Sequence, residues 1–231
     1  MDFDLAREMM VNGQIRTVDV TDSQVIAAFL KVKREAYIAP AWRDIAYCDG
    51  ELGVLEVNQS RVLPSPAAWA RLVQLLAPPS DGKLLMIGCA GGYGAAVLAE
   101  LVRHVVAIEA DLDVANAAKS ALSANGVANV DVHHGAMAAG WPDEAPFASI
   151  IFEGAIDALP AAISAQLAPG GRMVGVIGRG RTARAHLFRR HQDRHQMDRH
   201  QEAVVSGQAM FDVAVPPLAG FQAQPVFEFS A

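Results

Sequence analysis

Two features could do chemistry together. Ile87-Gly88-Cys89-Ala90-Gly91-Gly92-Tyr93-Gly94 is a glycine-rich turn. Glu109 follows about twenty residues on, at the end of the next apolar run. Glycine permits positive φ and lets a ligand approach the backbone. N–H groups at a helix start suit a carboxylate or a phosphate. An acidic side chain ending the next strand can accept both hydroxyls of an adenosine ribose. Gly88, Cys89, Ala90, Gly91, Gly92, Tyr93 and Glu109, with Ala110 beside it, are therefore read as binding an adenosine-containing cofactor. The turn and the acid do not by themselves choose between a nicotinamide cofactor and another adenosine ligand.

A second cluster lies in the polar stretch 186–200, where His191, His195 and His200 recur among Asp193 and Asp198. It reads as a solvated hairpin loop or as a metal site. The spacing matches no fixed ligand pattern, which favours the loop. Cys48 and Cys89 have no CxxC partner and are expected as free thiols in a reducing compartment.

These residues need elements to hold them. Residues 84–87 form a short apolar run that breaks at Gly88, as a buried parallel strand does. Residues 95–101 are strong helix formers. The pattern continues with strands over 104–108, 130–133, 149–152 and 173–177, and helices over 112–125 and 159–167. Such alternation predicts a parallel sheet with helices on both faces. The tail departs from it: residues 185–189 and 203–211 read as an antiparallel hairpin at the sheet edge. Upstream, residues 1–45 read mainly as helix, with Thr21-Asp22-Ser23 starting a second one. A helix over 66–77 is closed by Pro78-Pro79. Three regions result: 1–79 helical and acceptor-side, 80–180 the cofactor-binding core, and 181–231 strands completing the same domain.

The 231 residues suffice for one large domain, and 52% of them are hydrophobic, enough to bury a substantial core. A net charge of −6 argues against a broad nucleic-acid surface. No apolar run approaches the ~20 residues that span a bilayer. The acidic start Met1-Asp2-Phe3-Asp4 lacks a signal-peptide layout, so a cytoplasmic location is expected.

The chain resembles the protein-L-isoaspartate O-methyltransferase family over nearly its whole length. Met10-Val11-Asn12-Gly13-Gln14-Ile15 looks like that family's opening motif. Val32-Lys33-Arg34-Glu35-Ala36-Tyr37 is similar to its "VPRE-F" segment, and Ala46-Tyr47-Cys48-Asp49 to its "AY-D" segment. Ala168-Pro169-Gly170-Gly171-Arg172-Met173-Val174 matches its "PGGRMV" turn, and Pro217-Leu218-Ala219-Gly220 its closing "VPL-G". The resemblance implies a Rossmann-like S-adenosylmethionine-dependent methyltransferase fold, with a mostly parallel seven-stranded sheet, an antiparallel C-terminal hairpin and an N-terminal helical extension. It implies S-adenosyl-L-methionine as cofactor, and methyl transfer to the isoaspartyl carboxylate of damaged peptides or proteins.

Several family residues are replaced. Val62-Leu63-Pro64-Ser65-Pro66 stands for a "T-I-S-Q-P" segment whose serine lies at the acceptor, so Pro64 lacks both hydroxyl and N–H. Leu63, Pro64, Ser65 and Asp49 are the acceptor-side candidates. Met86 stands for an acidic residue, and Ala90 for the middle glycine of the loop. Ala136, followed by Met137, replaces the acid of a "G-D-G" turn expected to hold the adenine amino group. Phe152-Glu153-Gly154-Ala155 replaces "V-T-A-A", which puts Glu153 at the cleft edge as a substitute cofactor contact. Ala214 replaces a basic residue. Two readings follow: a methyltransferase whose activity is weak or redirected, or a non-catalytic binding or regulatory protein on the same scaffold.

Overall fold

The computed structural model describes residues 1–55, 61–191 and 205–222. Most of the histidine-bearing stretch lies outside them, so its loop and metal readings have no structural counterpart. Among the described residues, no group of three or more metal-ligating side chains gathers, and no helix is long and apolar enough to cross a membrane.

Strands β1 (Leu52–Gly53) and β2 (Val62–Leu63) pair antiparallel as a small separate ribbon. The main sheet holds β3 (Lys83–Ile87), β4 (His104–Glu109), β5 (Val130–His134), β6 (Phe147–Ile156), β7 (Leu167–Ile177), β8 (Arg184–Arg190) and β9 (Val205–Asp212). Their spatial order is β5-β4-β3-β6-β7-β8-β9. Pairing is parallel from β5 to β7 and antiparallel from β7 to β9. The chain begins this sheet in the middle at β3 and builds outward first one way, then the other. The switch falls between β3 and β6, and ligands of open α/β sheets bind outside the carboxyl ends of the strands at such a point.

Side chains along β3 and β4 alternate between two cores. Leu84, Met86, Val105 and Ala107 face one side, and Leu85, Ile87, Val106 and Ile108 the other. The first core carries α1 (Phe3–Met10), α2 (Ser23–Lys31), α3 (Pro66–Leu76), α4 (Tyr93–Ala99) and α5 (Leu112–Ala124). The second is covered by Ile163 of α6 (Ala161–Ser164) and by Leu218 and Phe221 of the tail. The helix expected over 159–167 thus shrinks to one turn. Pro160 sits at its N-cap, and Leu167 already pairs with Phe147 as the start of β7.

The N-terminal helix is also broken more than its periodicity suggests. After α1 the chain passes through a π turn (Val11–Ile15) and a 3₁₀ turn (Arg16–Val18), ending at Asp19 with φ 62°. Asp22 then caps α2 by accepting from the N–H groups of Gln24 and Val25.

Strand β6 is longer than its apolar core predicts. Its pairing with β7 shifts register between Ile151 and Ala155, so residues 152–154 bulge out of the ladder. That irregularity places Glu153 at the carboxyl end of the sheet, beside the end of β3.

Candidate cofactor site

The turn after β3 is shaped by left-handed backbone. Gly88 has φ 75°, its N–H donates to Ile108 O at 2.8 Å, and Gly92 has φ 91°. Ala90 also sits at φ 36°, where a Cβ is strained by about 1–2 kcal/mol. The loop thus keeps the shape of a glycine turn with one glycine replaced. It is tightly packed: residues 88–93 are all buried, and a Cβ on Gly91 would overlap the Tyr37 carbonyl.

Glu109 ends β4 with no exposed surface, and its carboxylate turns back on the loop. Oε2 accepts from the N–H groups of Cys89 at 3.1 Å and Ala90 at 3.2 Å. Oε1 accepts from Ala110 N at 3.0 Å and Asp111 N at 3.5 Å. Turn and acid are therefore one hydrogen-bonded unit.

A residue that the sequence did not single out completes it. Arg61, just before β2, is 3% exposed and donates from Nε to Glu109 Oε2 at 3.1 Å. Its Nη2 has no hydrogen-bond partner among the described residues and lies 3.9 Å from Glu153 Oε2, too far for a hydrogen bond. The same Nη2 lies 2.5 Å from where a Cβ on Gly88 would be, so the guanidinium rests on the face of the turn.

Glu153 is 1% exposed, and neither carboxyl oxygen has a hydrogen-bond partner among the described residues. Burial pushes its pKa up to about 8 against the opposing pull of Arg61, with Glu109 adding to the rise and Arg34 opposing it. Burial thus favours its protonated form. A Cβ on Gly94 would meet Glu153 Oε1, Met86 Cε and Trp69 Cζ2, so these side chains share one wall.

Arg34 ties this wall to the acceptor side. It is fully buried and donates from Nε to Ala46 O at 2.9 Å and from Nη2 to Pro64 O at 3.0 Å. Its Cζ lies 4.9 Å from the Tyr93 ring centroid. Burial lowers its pKa, while burial raises that of the Tyr93 hydroxyl to about 12. Among the described residues, Arg34 Nη1, Trp69 Nε1 and Tyr93 Oη are buried without hydrogen-bond partners, as are Arg61 Nη2 and both Glu153 oxygens. Such groups each cost about 1–3 kcal/mol, and those of Glu153 and Trp69 belong to the wall facing Gly94.

The sequence-predicted residues divide. Gly88 to Tyr93, Glu109 and Glu153 come together at the β3/β6 switch. Ala110 is exposed beside Glu109. Ala136 is exposed after β5, while Met137 is buried in the second core with Ile87 and Ile108. Leu63 and Pro64 are buried. The Ser65 Oγ accepts from Ala68 N at 3.3 Å and caps α3. Asp49 is exposed. Arg61 gave no sequence signal, being a lone basic residue before two apolar ones. Arg34 stood within a family segment, but nothing indicated that it would be buried.

A buried strand-end acid joined to a glycine turn, at the switch point of a sheet finished by an antiparallel hairpin, defines a Rossmann-like S-adenosylmethionine-dependent methyltransferase. Comparison with known proteins narrows the class. The family model for protein-L-isoaspartate(D-aspartate) O-methyltransferase (PCMT) matches residues 6–207. Protein-L-isoaspartate O-methyltransferase 1 of Rhodopseudomonas palustris (strain HaA2) is 36% identical over 182 residues, 79% of this chain and 73% of that protein. The Trichlorobacter lovleyi protein-L-isoaspartate O-methyltransferase is 35% identical over 178 residues, 77% of this chain and 81% of its own. Among solved structures, a protein-L-isoaspartate O-methyltransferase superposes with a TM-score of 0.77 at 23% identity, covering 93% of this chain and 66% of its own. A Plasmodium falciparum structure described as a beta-aspartate methyltransferase (PCMT), in complex with S-adenosyl-L-homocysteine, gives 0.71 at 18% identity over 94% of this chain and 98% of its own. The two superpositions speak to fold alone. The chain belongs to the protein-L-isoaspartate O-methyltransferase family, whose methyl donor is S-adenosylmethionine.

Proposed function

We propose that this protein transfers a methyl group from S-adenosylmethionine to the side carboxylate of isoaspartyl residues in damaged proteins. The observation that carries the reading is Glu109, buried at the end of β4 and hydrogen-bonded to the glycine turn at Cys89 and Ala90. The residues fit the cofactor in kind. A strand-end carboxylate suits ribose hydroxyls, the backbone of residues 88–93 suits the donor's amino-acid end, and Ala110, Ala136 and Met137 flank the expected adenine side. For the cofactor to enter, the Arg61 guanidinium, which rests on Gly88 and bonds Glu109, must withdraw. Glu153 then remains as a polar group at the edge of the cleft.

The bound donor supplies an activated methyl group, so the protein's task is mainly alignment. A carboxylate acceptor needs no strong base to attack. The chain's own contribution on that side is a rigid wall. Arg34 clamps the carbonyls of Ala46 and Pro64 and so fixes the segment carrying Leu63 and Pro64. With proline in place of a hydroxyl residue, this wall orients the acceptor by shape. The family match favours this reading over a non-catalytic scaffold.

The test is calorimetric titration with S-adenosyl-L-homocysteine, followed by methyl transfer to an isoaspartyl peptide. Binding and transfer are expected, and Glu109→Ala should weaken binding at least about tenfold, or 1.4 kcal/mol. Binding without transfer to the isoaspartyl peptide would overturn the acceptor assignment.

A further inference from the structure

The least expected group at this site is the arginine lying across it. Arg61 Nε takes one of the positions on Glu109 Oε2 from which a ribose hydroxyl would otherwise donate. Oε2 already accepts from two backbone N–H groups, and Oε1 from two more. With Arg61 in place, Oε2 carries three donors and has no lone pair left for a ribose hydroxyl. The guanidinium also covers Gly88, with Nη2 and Leu218 Cδ2 standing 2.5 and 2.9 Å from where a Cβ would be. The turn is buried under protein atoms, with residues 88–93 and Glu109 all buried.

Arg61 is nonetheless an imperfect occupant. Among the described residues, its Nη2 is buried with no hydrogen-bond partner and only approaches Glu153 at 3.9 Å. A buried donor left unsatisfied is costly. One strong contact to Glu109 and one orphaned donor describe a group held well enough to close the site and loosely enough to give it up.

We propose that Arg61 is a built-in competitor of the cofactor. Its guanidinium substitutes for the ligand on Glu109 and Gly88, and binding proceeds by exchange of one for the other. This rests on the cofactor reading given above. Exchange lowers apparent affinity by the fraction of molecules in which Arg61 is withdrawn. It also keeps Glu109 hydrogen-bonded in both states, so that no acceptor on the buried carboxylate is left without a donor. Because the competitor is a cation, removing it should favour a positively charged ligand over an otherwise similar neutral one. S-adenosylmethionine carries a sulfonium charge that S-adenosylhomocysteine lacks.

The experiment is calorimetric titration of both ligands into the wild-type chain and into Arg61→Gln and Arg61→Met, with each variant's folding checked by circular dichroism. Arg61→Lys serves if neither of the others folds, since a lysine keeps the charge but not the fork that spans Glu109 and Gly88. We expect S-adenosylhomocysteine to bind the variants at least about tenfold more tightly than wild type, and S-adenosylmethionine to gain more than that. Affinities for S-adenosylhomocysteine that are equal or weaker in the variants would overturn the competitor, while binding by the wild type would leave the cofactor reading standing. An equal or smaller gain for S-adenosylmethionine would overturn the charge argument. No binding of either ligand by any folded variant would overturn the cofactor reading and the proposal with it.

Discussion

At the scale of single residues, Glu153 shows how a site can work against stability. It sits without hydrogen bonds between two arginines and a second carboxylate, and burial raises its pKa from 4.5 to about 8. Between those values the folded protein holds a proton on Glu153 that the unfolded chain has released. Stability from this group is therefore complete below pH 4.5 and falls as pH rises toward 8, at up to about 1.4 kcal/mol per pH unit. Glu153→Gln keeps the shape and removes the proton linkage. Urea titrations from pH 5 to 8.5 should show a flatter pH dependence in the variant and greater stability than wild type at pH 8. An unchanged slope would mean that Glu153 ionises normally in the folded chain. Ala90 is a second residue that strains its surroundings, holding a left-handed conformation that glycine would adopt freely. Glu109 was legible in the sequence because its distance from a glycine turn is a known geometric relation. Arg61 was not, because only the folded chain brings residues 48 positions apart onto the same carboxylate.

At the scale of elements, α3 separates structural from chemical roles. Ser65 lies next to the acceptor-side Pro64, and its sequence position alone invites a catalytic reading. The structure gives its hydroxyl to Ala68 N, with Pro66 at the first helical position, the usual way to start a helix. Ser65→Ala should then cost about 1 kcal/mol of unfolding free energy and leave methyl transfer within about threefold of wild type, a change under 1 kcal/mol. A large loss of transfer at unchanged stability would return Ser65 to the acceptor site. The helices and strands with clean periodicity were the legible ones: α3, α4, α5 and β3 to β5 all fall within a few residues of their sequence expectation. Where tertiary contacts override local pattern, the sequence misleads. Residues 159–167 have helical composition, yet Leu167 is drawn into β7 by pairing with Phe147. Residues 11–18 continue a helical pattern but tighten and widen into irregular turns before Asp19.

At the scale of the whole molecule, one face of the sheet is thick and the other thin. Among the described residues, five helices cover the first core, whereas one short helix, the turn carrying Met137 and the tail cover the second. The tail does this by backbone pairing: Ala155 N donates to Pro216 O at 2.8 Å and Leu218 N to Ala155 O at 2.8 Å. It thereby lays the Leu218 side chain over both Gly88 and Gly154, where added Cβ atoms would meet it within 3 Å. Residues 217–220 resemble a family motif in the sequence, but their job as a cover for the end of β3 is visible only once β6 bulges at Glu153 and brings the tail alongside. Leu218 has no exposed surface and packs in the second core with Phe152 and Phe221. Removing its isobutyl group should therefore do two things at once. Leu218→Ala should lower unfolding free energy by about 2–4 kcal/mol, as for other buried leucines in well-packed surroundings. It should also uncover Gly88, so that S-adenosylhomocysteine binding changes along with stability. A surface leucine in the same family of substitutions, Leu5→Ala, should change neither, since its side chain is 53% exposed. Guanidinium melts of the two variants, each repeated with and without ligand, separate the effects. Loss of stability with unaltered ligand affinity would mean that the tail is a structural cover and no part of the cofactor's enclosure.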